Sequence, residues 1–304
     1  MNCRNFLSLI ILVAGSVTAS AQSNLLNAKT PEEIGKKSEA QLLADNDKPL
    51  PYGFVDDRDI LMGKAVWEVI DLDERVNFPL YFPIDTANIG PNRRSLFHVL
   101  LGGIKDGSIT EVYADSYFNT KRTLKEMENS FKFRDTIDAG RDEINTYYDD
   151  YMSGKKVLDP QYIDERFLVS QDVSGYKIKG MWYFDKRQGE LKYRMIGICP
   201  VAKEARDSGN DDAIAIELFW IYFPAAREIL NQSYAFNDRN SAAPVSFDRL
   251  LNSRRFSAVI YQEENVYGDR EIEKYMKDNS QLQLLEAERV KDKIRDFEQD
   301  MWNY

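Results

Sequence analysis

His98 is the sole histidine of this 304-residue chain. A multi-histidine metal site is thereby excluded, and only one imidazole is on hand for a nucleophilic triad. It sits in Leu96-Phe97-His98-Val99-Leu100, the setting of an ordinary helix residue, and no Gly-x-Ser-x-Gly elbow accompanies it. Gly102-Gly103-Ile104-Lys105-Asp106-Gly107 offers glycines and a lysine, but its spacing is that of a turn and not of a phosphate cradle. Carboxylates are so numerous that adjacency in sequence nominates no acid–base pair. Asp71-Leu72-Asp73-Glu74 and Asp207-Ser208-Gly209-Asn210-Asp211-Asp212 carry oxygen ligands without the spaced twelve-residue loop and terminal glutamate of a calcium site. The expectation is therefore no catalytic, cofactor or metal site, with both acidic runs as solvated turns.

The first residues have the pattern of a secretory leader. Arg4 is the positive start, Phe6 to Val17 the apolar run, and Ala19-Ser20-Ala21 the small residues before Gln22. Residues 1–21 are expected to be removed between Ala21 and Gln22. The run breaks at Gly15 and Ser16, short of the roughly 20 apolar residues of a spanning helix. Cys3 precedes the run, so self-lipidation is not expected, and any membrane association would pass through a partner. Cys199 is then the only cysteine of the mature chain, which excludes an internal disulfide. It follows Met195-Ile196-Gly197-Ile198 and reads as a buried small hydrophobe.

The formal charge is −10, from 40 basic and 50 acidic side chains, and the leader takes away only Arg4. That sign argues against nucleic acid or anionic lipid as the main ligand. Arg93-Arg94 and Arg254-Arg255 are too short to reverse it. The length suffices for one large domain or two smaller ones with a real core.

Residues 22–52 are polar and end at Pro49 and Pro51, as in an extended arm, although Thr30-Pro31-Glu32-Glu33 would cap a short helix. A first α+β unit is expected over 53–165. It has helical character from Asp57 to Lys64, a strand over Val66–Leu72, and a short helix from Ser95 that stops at Gly102-Gly103. A strand at Ile109–Tyr113, a helix at Thr120–Asn129 and a charged loop or helical excursion from Phe131 to Glu165 complete it. A second unit over 166–275 opens with a β-hairpin, Tyr176 to Cys199, turning near Gly189. A strand over Ala213–Tyr222, helices at Pro224–Leu230 and Ser246–Leu251, and a strand over Phe256–Tyr261 follow. A strand, a Phe-Pro break, a Ser-Leu-Phe or Ser-Phe-Asp helix start and a second strand recur in both units, which suggests a divergent internal duplication.

The last segment, 276–304, reads as a long charged helix. Leu282, Leu285, Val290, Ile294, Phe297 and Met301 recur mainly at three- and four-residue intervals. The stripe packs on its own domain or docks on a partner or neighbouring copy, and Trp302 would serve either contact. The fold class expected is α+β, with short antiparallel sheets, peripheral helices and this long C-terminal helix.

Several blocks in order resemble the GldN/PorN family. They are Asp56-Asp57-Arg58-Asp59-Ile60-Leu61 leading into Val66–Leu72 and Asn77-Phe78-Pro79-Leu80-Tyr81; Arg94-Ser95-Leu96-Phe97 through Ile109–Tyr113; Ile178–Phe184; and Ser246–Tyr261. The resemblance implies a non-enzymatic periplasmic subunit of the type IX secretion and gliding apparatus. It also implies a ring with a GldK/PorK-like outer-membrane lipoprotein, and contact with a GldM/PorM-like motor protein. Two rivals stand beside it: an exported carboxylate-dependent hydrolase, and a monomeric periplasmic ligand-binding module.

Overall fold

The computed structural model describes residues 30, 48–85, 93–123, 126–127, 131–207, 213–237, 245–277 and 279–302. The leader, its cleavage point at Ala21 and Gln22, and nearly all of the 22–52 arm lie outside the described residues. Pro49–Tyr304 forms one compact unit.

Its frame is the hairpin read from the sequence. Strands β6 (Val173–Asp185) and β7 (Glu190–Ala202) pair antiparallel along their length. Gly189 takes φ 65° in the turn, a conformation glycine adopts without a Cβ penalty. Its N–H reaches the Asp185 carbonyl at 2.8 Å. Strand β1 (Ile60–Asp71) lies antiparallel on the other flank of β6, and β12 (Val259–Glu263) is antiparallel to β1. The short strands β8 (Ile216–Glu217) and β9 (Ile221–Tyr222) both pair with the far end of β7. The main sheet thus runs β12-β1-β6-β7-β8, with β9 also on β7. Strand β1, from the stretch 53–165, sits between two strands of 166–275, so the two stretches share one sheet.

Residues that share a sheet face alternate along each strand. On one face Val66, Ile70, Tyr176, Ile178, Ile198 and Ile260 are buried. Helices α2 (Leu96–Lys105), α5 (Phe223–Gln232) and α6 (Phe247–Asn252) contribute to the larger core over it, together with α1 (Phe78–Tyr81). Helix α8 (Ser280–Trp302) covers Val66 and Ile260 at the other end, with α7 (Ile272–Tyr275) beside it. On the opposite face Trp67 and Cys199 pack with Trp220 under the hairpin of β2 (Val112–Tyr113) and β3 (Lys121–Arg122). Helices and short antiparallel sheets with a long terminal helix make the fold α+β.

Local chemistry explains several departures from the expected elements. Asp57–Asp59 is a single 3-10 turn, and the helical character assigned as far as Lys64 yields to β1 from Ile60. Ile60, Met62, Lys64 and Val66 are drawn into alternating positions opposite β6. Helix α2 does not stop at Gly102-Gly103 but runs to Lys105; the left-handed residue is Gly107, φ 75°. Gly103 serves packing instead, since a Cβ there would lie 2.7 Å from the Ile229 side chain. The charged excursion is a pair of strands, β4 (Lys132–Thr136) and β5 (Ile163–Phe167), enclosing helices α3 (Asp138–Thr146) and α4 (Tyr148–Met152). Of the helix expected at Thr120–Asn129, the first residues form β3 instead, Glu126 and Met127 are helical, and the rest falls partly outside the described residues. Ser95 and Ser246 do cap α2 and α6 alike, each Oγ accepting a backbone N–H at 3.3 Å. The strands that follow part ways: Tyr113 bridges to Trp220, whereas β12 joins β1. The small ladder β10 (Tyr234–Ala235) with β11 (Val245–Ser246) has no counterpart between β1 and α2 among the described residues.

Candidate interaction surfaces

The stripe on α8 divides in two. Val290 is fully buried and Ile294 nearly so, against Val66, Ile260 and Ile272. Phe297 is half-buried, its ring 6.2 Å from that of Phe184, and Met301 is half-buried too. Leu282 and Leu285 are exposed, with Leu284 between them. At about 100° per residue, Leu285 lies about 140° around the helix from Val290 and cannot share its face. Ala287, absent from the apolar stripe read in the sequence, completes the packed face because its small side chain lets the helix approach the sheet. Of Trp302 only the backbone is described. The seven residues are therefore not one surface: Val290, Ile294 and Phe297 hold the helix down, and Leu282 and Leu285 face outward.

A second feature lies beside β7. Residues 50–55 pass over the end of the hairpin as a strap. The Tyr52 ring lies under the guanidinium of Arg227 at 4.2 Å and that of Arg194 at 4.8 Å. Its hydroxyl donates to Asn252 Oδ1 at 2.7 Å. Arg194 and Arg187 donate to the carbonyls of Gly53 and Phe54 at 2.9 and 2.8 Å. Burial pushes the Tyr52 phenol up, against the opposing pull of Arg227. Beneath the strap is a cavity of about 360 Å³. Arg187, Lys192, Arg194 and Arg227 line it, with Asp185 as the one carboxylate. Leu50 and Phe54 stay more than three-quarters exposed at its rim.

The third feature follows β12 at the other side of the sheet. In the loop Glu264–Arg270, Gly268 and Asp269 take φ 75° and 55°. Asp269 is held by the N–H of Asn265 at 3.0 Å, the Tyr117 hydroxyl at 2.9 Å and, through its carbonyl, Gln262 Nε2 at 2.7 Å. Asn265 in turn accepts from the Tyr267 N–H at 2.9 Å. A loop pinned this thoroughly nevertheless presents Val266 and Tyr267 at 92% and 76% exposure. Partial burial, then the bond to Asp269, push the Tyr117 phenol up to about 12.

The buried charged groups are engaged within the fold. Glu68, 1% exposed, stands between the two cores and takes a bidentate pair from Arg254, both bonds 2.8 Å. The Tyr193 hydroxyl donates to it at 3.4 Å, and the Arg254 guanidinium lies 4.0 Å from the Tyr193 ring centre. Arg254 holds φ 51° just past α6, a position helices usually give to glycine. Asp248 pairs with Arg227 at 2.8 and 3.0 Å. Asp185 accepts from the Arg187 N–H at 3.0 Å and faces Lys192 at 3.5 Å. Sequence reasoning missed these pairs, since nothing in sequence points from Arg254 across to Glu68.

Among the described residues no group of three or more His, Cys, Asp and Glu side chains is placed to hold a metal. Asp71 caps its own turn, accepting the Asp73 N–H at 2.9 Å, and Ser208 to Asp212 lie outside the described residues. His98 is exposed, its pKa lowered first by partial desolvation and then by Arg94 and Lys105. Cys199 is buried, and burial pushes its thiol well up. No described helix is long and apolar enough to cross a membrane.

A comparison with curated proteins finds no match. The family model described as "Gliding motility associated protein GldN" matches residues 55–303, from the last residue of the strap, Val55, through α8. With the sheet, both cores, α8 and the Val266-Tyr267 loop inside that span, the chain belongs to the GldN family of gliding-motility-associated proteins.

Proposed function

We propose that this chain is a non-enzymatic periplasmic subunit of the type IX secretion and gliding machinery, assembling into a ring with a GldK/PorK-type lipoprotein at the outer membrane. A GldM/PorM-type motor protein would meet the same ring. The observation that carries this reading is the family match over residues 55–303. The geometry supports a scaffold in two ways. Its buried carboxylates are bound to cations of the same chain, a use that builds a fold and not a reaction centre. The strap cavity has four cationic residues and one carboxylate on its walls, whereas a carboxylate-dependent hydrolase needs two acids converging on a substrate.

A ring needs heterologous contacts, one face of each copy meeting a different face of the next. The exposed leucines of α8, the strap and the Val266-Tyr267 loop supply distinct apolar faces for copies and partners. The test is co-purification of the tagged mature chain from native envelopes, with mass analysis of what accompanies it. A very large complex containing a GldK-like lipoprotein is expected. Recovery of a lone monomer under gentle extraction at low salt would overturn the proposal.

A further inference from the structure

The pinned loop after β12 and the cavity beside β7 stand on opposite sides of the sheet. In the order β12-β1-β6-β7 they are three strand spacings apart, about 14 Å between the strands themselves. We infer that Val266-Tyr267 of one copy inserts into the strap cavity of the next, a knob-and-socket contact that repeats head to tail. This rests on the ring reading above.

Three observations select a second copy as the occupant. The first is stiffness. Leaving Val266 and Tyr267 exposed is unfavourable for an isolated chain, yet the loop is fixed by Asp269, Asn265 and Tyr117 instead of being folded back. An anchor ordered before contact loses little conformational entropy on docking. The second is fit: the cavity of about 360 Å³ is of the size that takes one small aromatic group. Its wall holds Tyr183 and Tyr52 beside Arg194. Among the described residues the buried Nε–H of Arg194 has no acceptor, and a tyrosine brings both a ring for the guanidinium and a hydroxyl oxygen. The third is charge. Residues 263–273 carry five carboxylates against the single Arg270, and they would face a socket whose lining is mainly cationic. Because knob and socket are different surfaces, each copy keeps one of each free, which is the condition for a ring or filament in place of a closed dimer.

The test uses the full chain in the cells that make it, with Tyr267→Cys and Gln188→Cys introduced together. Gln188 lines the socket and is exposed. Within one chain the two positions lie on opposite sides of the sheet, beyond the roughly 7 Å limit on Cα separation for a disulfide. Buried Cys199 stays out of the reaction. Mild oxidation of envelopes is expected to give a covalent ladder of dimers, trimers and higher species, with neither single variant giving one. The large complex is isolated from the same cells by co-purification. A complex present without a ladder, or a dimer from Tyr267→Cys alone, overturns the knob-and-socket contact while the ring stands. No complex at all overturns the ring and this contact with it. As a second measurement, Tyr267→Ala should abolish recovery of the complex while leaving Tm within about 2 °C, since an exposed side chain contributes little to the monomer. Undiminished assembly of that variant would also refute the contact.

Discussion

Replacing Arg254 by alanine strands Glu68 between two apolar cores. The Glu68 side chain is 1% exposed, and its remaining partner is a Tyr193 hydroxyl at 3.4 Å. Removing one member of a buried ion pair costs about 3–5 kcal/mol, because an uncompensated charge remains. For a unit of this size that is a fall in Tm of roughly 6–20 °C. The converse change, Glu68→Gln, leaves Arg254, whose side chain is 24% exposed and can reach water. Its cost should be smaller, about 1–3 kcal/mol. Backbone conformation adds a second, opposite signal. At φ 51° alanine retains a strain of about 1–2 kcal/mol that glycine escapes. Arg254→Gly should therefore be milder than Arg254→Ala by about 1 kcal/mol, although glycine removes more side chain. Equilibrium urea unfolding of residues 22–304, followed by tryptophan fluorescence, measures all three. The paired change Glu68→Leu with Arg254→Met should cost much less than the sum of its single changes. The reasoning fails if Arg254→Ala shifts stability by under about 1 kcal/mol, if Arg254→Gly is the worse of the two, or if the paired change is additive.

Three further outcomes follow from the geometry. Ile294→Ala should destabilise by about 2–4 kcal/mol and Leu285→Ala by no more than about 0.5 kcal/mol, measured by the same unfolding curves, because only the first side chain is packed on the sheet. Cys199 should resist a thiol reagent such as DTNB at pH 8 in the native protein and react in full on unfolding, since burial holds the thiol protonated and out of reach. Tyr117, held up to about 12 in the folded chain against about 10 unfolded, binds its proton more tightly when folded. Its contribution to stability is then fully present below pH 10 and lost between about 10 and 12. Absorbance titration of phenolate should show Asp269→Asn drawing the Tyr117 midpoint back toward 10.

The long hairpin was legible because β6 and β7 carry their pairing signals locally: two apolar runs, a charged break, and a glycine where the turn requires positive φ. The serine caps of α2 and α6 were legible for the same reason, as each cap bonds a residue three positions on. What resisted reading was set across the chain. Gly102-Gly103 looks like a stop signal until Ile229, more than a hundred residues later, is found against Gly103. The Asp57–Lys64 segment has helical composition, yet β6 offers it a ladder, and tertiary pairing overrides a weak local preference. The Phe131–Glu165 excursion shows few apolar anchors because its strands pair with each other at the surface, where Lys132 and Glu165 can form an ion pair.

The α8 stripe shows how sequence periodicity loses its meaning for function. A three-and-four spacing identifies a helix with an apolar side, but not how wide that side is or which residues a sheet has already covered. Leu282 and Leu285 join the count by residue type; angle and burial separate them from Val290 and Ile294. The surfaces best suited to contact were less visible still. Val266-Tyr267 is an unremarkable pair in sequence, and its importance comes from the bonds that Asp269 and Asn265 make around it. The strap cavity is walled in part by Tyr52, which crosses to Arg227 and Asn252, 175 and 200 positions away. Exposed features of this kind are set by contacts between residues far apart in sequence and stand outside any motif, so the fold must be known before they can be located.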